Sequence, residues 1–259
     1  MATAREMLTA RIVCRAVLPV IKVMIADDPV MCRRFQGVTA VVRFVANDES
    51  GPVGAQLHFS NGELEVVQGP GESADLTFSF ASVAKMNAMF AGKPVLPRIQ
   101  GWTQIGLLLR VFSVLLGLKL LMPTAKPKNP DQAKLKVKMT LFMVSTALSQ
   151  LNKAGDPDMA AWTSKQPERI YQWSVQGEED IACYLKVKAG QTKAGRGFYE
   201  RRKPFVHMIF RGTDGALPVL SNSVDTVQAM AQGLVVNEGS PEYGGKLGDF
   251  MLKVAGLLS

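Results

Sequence analysis

Histidine and cysteine, on which most metal sites and many catalytic sites depend, are scarce in this sequence: two histidines and three cysteines serve 259 residues. Cys14, Cys32 and Cys183 are odd in number and show no metal-ligand spacing, so neither a disulfide framework nor a zinc site is expected. Cys183 falls on the apolar side of the alternation Ile181, Cys183, Leu185, Val187 and reads as a small buried hydrophobe in a reduced, cytoplasmic setting. His58 and His207 both lie in expected strands, and His58 sits opposite Leu57 and Phe59 in its alternation, which makes it solvated or cross-strand. No Gly-rich phosphate loop, nucleophile elbow or metal cluster occurs. The sequence therefore offers no catalytic residue, cofactor site or metal site, and the chain is not expected to be an enzyme. Net charge is +8, which favours anionic surfaces, yet the aromatic-basic and recognition-helix patterns of nucleic-acid binders are missing. The N-terminal apolar stretch is interrupted by Arg11 and Arg15, and no small-residue cleavage site follows, so a secretory signal is not expected.

What is present is repetition. The run from Ser82 to Gly92 returns from Ser223 to Gly233, matching at Ser, Val, Ala, Met and Gly with an offset of 141. Asp28-Pro29 with Met31 returns as Asp156-Pro157 with Met159, and Leu57 with Gly62 as Leu185 with Gly190, both at an offset of 128. Repetition at this length implies two domain-sized copies, since solenoid units repeat at roughly 20 to 50 residues. The expected domains are residues 1–125 and 126–259. The growing offset places an insertion between Gly190 and Ser223, where Arg201-Arg202-Lys203 lies.

In the first copy a helix is expected over 10–26 with a kink at Pro19, then a short helix capped by Asp28-Pro29. Strands are expected over 40–45, 55–59, 64–67 and 76–80, with Asn61-Gly62 as a hairpin signal. Ser82 caps a helix that Gly92 ends. Residues 122–130 read as the linker, and Asn129-Pro130 opens the second copy's first helix. That copy repeats the programme: a short helix after Asp156-Pro157, strands near 170–175, 181–188 and 205–210, a helix capped at Ser223, and a closing helix.

The two closing helices differ. In the second copy Leu247, Phe250, Met251, Val254 and Leu258 form one apolar stripe, with Lys246, Asp249 and Lys253 facing away. The first copy's helix over 105–122 keeps only Arg110, Ser113 and Gly117 on a narrow polar face. A central cation would cost a membrane span roughly 2.5 to 3.5 kcal/mol, so the helix reads as buried, as a lid over an apolar cavity, or as a wedge between the domains. Thirteen methionines add soft side chains that adapt to irregular apolar shapes.

Gly62-Glu63-Leu64, then Ala74-Asp75-Leu76-Thr77-Phe78-Ser79, the helix to Gly92-Lys93, Gly101 and a leucine-rich closing helix resemble the sterol carrier protein type-2 family. The second copy keeps the hairpin Gly190, the helix to Gly233, Gly239 and the closing helix, but has Gly215-Ala216-Leu217 where Ala-Asp-Leu would stand. The resemblance implies an α+β fold: in each copy a mainly antiparallel five-stranded sheet, covered by helices, with an apolar tunnel. It also implies non-enzymatic binding, carriage or presentation of a sterol, a fatty acyl chain or an acyl-CoA. Transferred by position, the first tunnel would be lined by Phe78, Phe80, Met86, Met89, Phe90, Trp102, Leu108, Phe112, Leu115 and Leu116. The second would use Val219, Met230, Val235, Phe250, Met251 and Val254. The alternative is an interaction or scaffold module, its tunnels lost, that docks the apolar helix onto a partner enzyme or a second copy of the chain. A third reading has the basic surface holding the protein at an anionic membrane.

Overall fold

The computed structural model describes all 259 residues except the side chain of Thr226. The chain divides into two compact units, Met1–Lys119 with Leu257–Ser259, and Leu120–Gly256.

The first unit opens with α1 (Ala4–Ile12), which passes through a π turn at Val13–Val17 and a 3-10 turn at Leu18–Val20 into α2 (Ile21–Asp27). Pro19 is the cause. It has no N–H to donate, and its ring crowds the preceding turn, so the hydrogen-bond ladder must widen around it. The Leu18 N–H reaches back to the Val13 carbonyl, and the next donor in that π register would be the proline. The Cys14 carbonyl is left over, and Gln68 Nε2 donates to it at 3.0 Å. α3 (Pro29–Phe35) follows, capped as expected: Asp28 Oδ1 accepts from the N–H groups of Val30 at 2.8 Å and Met31 at 3.1 Å.

Five strands come next, β1 (Ala40–Ala46), β2 (Val53–Ser60), β3 (Glu63–Gln68), β4 (Leu76–Phe80) and β5 (Arg98–Gln100), in the order β3-β2-β1-β4-β5. Asn61 and Gly62, at φ 48° and 88°, make the tight turn of the β2–β3 hairpin, the left-handed conformation that Asn-Gly favours. α4 (Val83–Phe90), capped by Ser82, and α5 (Ile105–Leu118) complete the unit.

The second unit repeats this order. α6 (Pro130–Lys153) has 24 residues, matching the nine, five, three and seven of the broken helix that opens the first unit. α7 (Pro157–Ser164) is capped by Asp156. The strands β6 (Arg169–Val175), β7 (Glu178–Lys188), β8 (Gln191–Arg196), β9 (Val206–Phe210) and β10 (Val235–Gly239) form a sheet ordered β10-β9-β6-β7-β8. Read from the other edge, that is the first sheet's order. Gly101 after β5 and Gly239 at the end of β10 stand in the same place: a Cβ on either would lie 2.1 Å from the carbonyl oxygen of Asp75 or Phe205 respectively. Lys136 on α6, buried, donates to the carbonyls of Met122 at 3.0 Å and Ala125 at 2.5 Å. It pins the segment before α6 onto that helix.

Each sheet is mixed: three of its four strand pairs are antiparallel, in keeping with the mainly antiparallel sheets expected, and one, β1 with β4 or β6 with β9, is parallel. Two expectations need correction. The helix that follows β9 is α8 (Gly212–Leu220), which packs on α6, β6 and β9 as α4 packs on α1, β1 and β4. The run from Ser223 instead forms α9 (Thr226–Ala231), capped by Asp225 and not by Ser223. The main insertion is therefore α9 and its flanking turns. The loop holding Arg201-Arg202-Lys203 is only slightly longer than its counterpart, 197–205 against 69–75. The last element, α10 (Pro241–Leu257), closes the order.

The parallel pairs impose a crossing. From β3 the chain must pass behind β2 and β1 to reach β4, three strand gaps or roughly 14 Å. At its ends the crossing loop still bonds the strands, Gly69 N–H to the Gly54 carbonyl and Asp75 N–H to that of Val41, but the backbone groups between them need other partners. Arg43 Nη1 donates to the carbonyls of Gly71 and Glu72 at 3.2 and 3.1 Å, and Gln56 Nε2 to that of Ser73 at 3.0 Å. In the second unit Gln172, 1% exposed, donates to the Gly197 carbonyl and accepts from the Tyr199 N–H at 3.0 Å.

The account of the broken helix predicts a coupled pair. Gln68→Ala should lower unfolding stability by about 1 to 3 kcal/mol, because it orphans a buried carbonyl. In a Pro19→Ala background, where the ladder can close, the loss should largely vanish. Chemical denaturation of the four proteins in this cycle measures it, and equal losses in both backgrounds would refute the assignment.

Candidate functional site

On the helix-covered face of the first sheet, the period of two turns Val42, Phe44 and Ala46 inward from β1 and Leu76, Phe78 and Phe80 from β4. Phe44 and Phe78 are register partners, so their rings stack at 4.9 Å between centroids. Phe90 of α4 meets Phe44 edge-on at 5.7 Å, and Phe112 of α5 meets Phe78 at 6.0 Å and 88°. Edge-to-face and offset-stacked pairs at these distances are favourable beyond their buried area. Of the residues expected to line a first tunnel, Phe78, Phe90 and Phe112 thus come together. Phe80 and Met86 are buried in the same core, while Met89, Leu108 and Leu115 are half-buried. Trp102 and Leu116 do not line this interior: they are 65% and 60% exposed. Phe44 was missed, although the alternation of β1 carries it.

α5 is oriented against its polar face. Ser113 and Gly117 turn toward α2 and α3: Ser113 Oγ lies 3.7 Å from Met31 Sδ, and a Cβ on Gly117 would lie 2.5 Å from Met24 Sδ. Leu107, Val111, Val114 and Leu118 form the buried stripe. The remaining apolar stripe points outward.

The second unit contains a cavity of about 160 Å³. Met208 and Phe210 of β9, Val235 of β10, Val219 of α8, and Gly248, Met251 and Leu252 of α10 line it. Asn222, Val224 and Asp225, from the turn before α9, close one end. Met208 and Phe210 are the register partners of Trp173 and Val175, the places that Phe44 and Ala46 hold against Phe78 and Phe80 in the first unit. Gly248 presents no side chain to the cavity. Asp225 is fixed there by its capping role, its Oδ1 accepting from the N–H groups of Val227 and Gln228, both at 2.9 Å. No basic side chain is among the lining residues.

Of the residues expected around a second tunnel, Val219, Val235 and Met251 line this cavity. Phe250 and Val254 are buried elsewhere in the core, Phe250 with its ring 5.4 Å from that of Trp162 on α7. Met230 is 38% exposed on α9. On α10 the cavity takes Gly248, Met251 and Leu252, while Phe250 turns to Trp162. The turn 221–225 gave no sequence signal of a wall.

Chemistry-bearing groups are dispersed. Among the described residues, no group of three or more His, Cys, Asp or Glu gathers to hold a metal ion, and no helix is long and apolar enough to cross a membrane. His58 Nε2 lies 2.9 Å from Gln56 Oε1, beneath the crossing loop. His207 lies 2.8 Å from Ser174 Oγ, and burial lowers its pKa from the ordinary histidine value, which keeps it neutral at pH 7. Cys14 and Cys183 are buried, and burial pushes each thiol up to about 12.

No protein-family model matches the chain, and no curated protein matches it. Some solved structures match in part. The sterol carrier protein domain 2 of Helicoverpa armigera matches at 18% identity and a TM-score of 0.28, over 41% of this chain and 90% of that domain. The sec-alkylsulfatase Pisa1 from Pseudomonas sp. matches at 15% identity and a TM-score of 0.27, over 54% of this chain and 27% of the enzyme. A double mutant of the sec-alkylsulfatase PisA1 matches at 15% identity and a TM-score of 0.28, over 52% of this chain and 27% of that one. This chain thus spans about a quarter of the alkylsulfatases' length. Likenesses this low establish neither fold nor activity.

The thiol environments predict a selective reaction. At pH 8 a thiol reagent should modify Cys32, which is exposed, and leave Cys14 and Cys183 untouched until the protein unfolds, since the thiolate is the nucleophile. Rapid native labelling of Cys183, read by peptide mass spectrometry, would contradict the buried, protonated state.

Proposed function

We propose that this chain is a duplicated sterol-carrier-like protein that holds an apolar, lipid-like molecule in its second unit and performs no chemistry on it. The observation that carries this reading is the 160 Å³ cavity, walled by Met208, Phe210, Val219, Val235, Met251 and Leu252. The shared strand order of the two sheets and the paired caps at Asp28 and Asp156 support a duplication of one ancestral unit.

The size of the cavity limits what it takes. An apolar cavity of about 150 Å³ accommodates benzene, whereas pockets that enclose drug-sized molecules occupy roughly 300 to 1,000 Å³. One ring of a sterol or a short stretch of acyl chain fits, and the rest of the ligand lies outside it. Burying about six methylenes supplies roughly 5 kcal/mol gross, and the ordering costs of binding subtract from it, so a short probe should bind no more tightly than about 0.2 mM. Asp225 and Asn222 stand at the polar end, and a free carboxylate there would meet Asp225 at like charge. An alcohol or an ester is the better fit.

The test uses 1-hexanol and hexanoate as probes, with the methionine methyl signals of Met208 and Met251 as reporters. Both signals should shift on adding 1-hexanol, and hexanoate should bind more weakly. Gly248→Leu should fill the cavity and abolish the shift while thermal stability holds or rises, because it removes a helical glycine and a void. Unmoved Met208 and Met251 signals, or full binding by a folded Gly248→Leu protein, would overturn the reading.

A further inference from the structure

The outward stripe of α5 is apolar over its whole length. Ile105, Leu109, Phe112 and Leu116, spaced four, three and four residues apart, share one line along the helix and are 61, 64, 39 and 60% exposed. Leu96 and Trp102, in the approach to the helix, are 96% and 65% exposed. Exposed apolar side chains scattered singly are ordinary, but six large ones gathered on one helix and its approach mark a surface with a partner.

The sequence around the stripe indicates which partner. From Leu76 to Pro130 the chain has no aspartate or glutamate, while Lys93, Arg98, Arg110 and Lys119 are all exposed. We propose that α5 and its approach dock on an anionic lipid surface, with Trp102, Ile105, Leu109 and Leu116 entering the acyl boundary, Phe112 exposing only an edge at their base, and these cations meeting the headgroups. Trp, Phe and Leu on one face with Lys and Arg at its flanks is the chemistry of a helix lying in the membrane plane. At 14 residues α5 is roughly 21 Å long, too short to span a core of about 30 Å. It therefore lies along the surface. A second copy is the poorer occupant: a two-fold contact sets the same segment against itself, cations facing cations with no acid within the segment to pair them. The inference is independent of the second-unit cavity.

The experiment is flotation of the full chain with phosphatidylserine-containing vesicles and with phosphatidylcholine vesicles, alongside its intrinsic fluorescence. Trp173 is buried and Trp162 half-buried, whereas Trp102 is exposed, so a blue shift on binding reports entry of Trp102 into lipid. Binding should be at least about tenfold tighter to the anionic vesicles. Arg110→Ala should weaken it about fivefold, the equivalent of about 1 kcal/mol. The double variant Leu109→Asp with Leu116→Asp should abolish it with the melting transition unchanged, since both sites are exposed. Failure to bind anionic vesicles, or binding that survives the double variant, would overturn the proposal. So would a dimer in sedimentation that the double variant dissolves while the vesicles stay bare.

Discussion

The placement of β4 parallel to β1, and of β9 parallel to β6, is the constraint from which the rest of the structure follows. It forces the loops 69–75 and 197–205 across the back of each sheet, where the backbone groups between their ends lack a strand partner. Arg43, Gln56 and Gln172 meet that demand. Buried polar side chains in strands otherwise rich in valine and phenylalanine would be costly without such partners. One face of each sheet is committed to the crossing loop, so the helices gather on the other.

On that other face the two units reach different endings from the same plan. In the first, Phe44, Phe78, Phe90 and Phe112 fill the space between sheet and helices with stacked and edge-on rings. In the second, Met208 takes the register place of Phe78, Gly248 presents no side chain from α10, and the turn before α9 supplies Asn222, Val224 and Asp225 to the wall of a cavity. The cavity lies in the second unit, where the sequence motifs gave no hint of it, since space depends on side-chain volume, which turn and cap motifs do not encode.

The legible parts of the sequence were those with a strong local cause. Alternation marked β2, β4 and β7, apolar runs placed strands near β1, β6 and β9, Asn61-Gly62 marked a hairpin, and Asp-Pro marked the caps of α3 and α7. The three-residue β5 and the polar edge strand β8 had too little pattern to read, and their existence depends on pairing with distant strands. α8 was hidden by its composition: Gly212, Gly215 and Pro218 within nine residues argue against a helix, and packing on α6 and the sheet overrides them. α5 was read correctly as apolar nearly all round. Its outward side, however, depends on Gly117 and Ser113 fitting against Met24 and Met31, a contact between segments about ninety residues apart that no local pattern reveals.

The claim that the chain carries an apolar molecule is tested most directly by native mass spectrometry of the freshly purified protein, followed by solvent extraction of whatever it releases. The account predicts one co-purifying apolar molecule per chain, or uptake of one when a long-chain alcohol or sterol is added. A clean mass of the bare chain that gains nothing from either would contradict it.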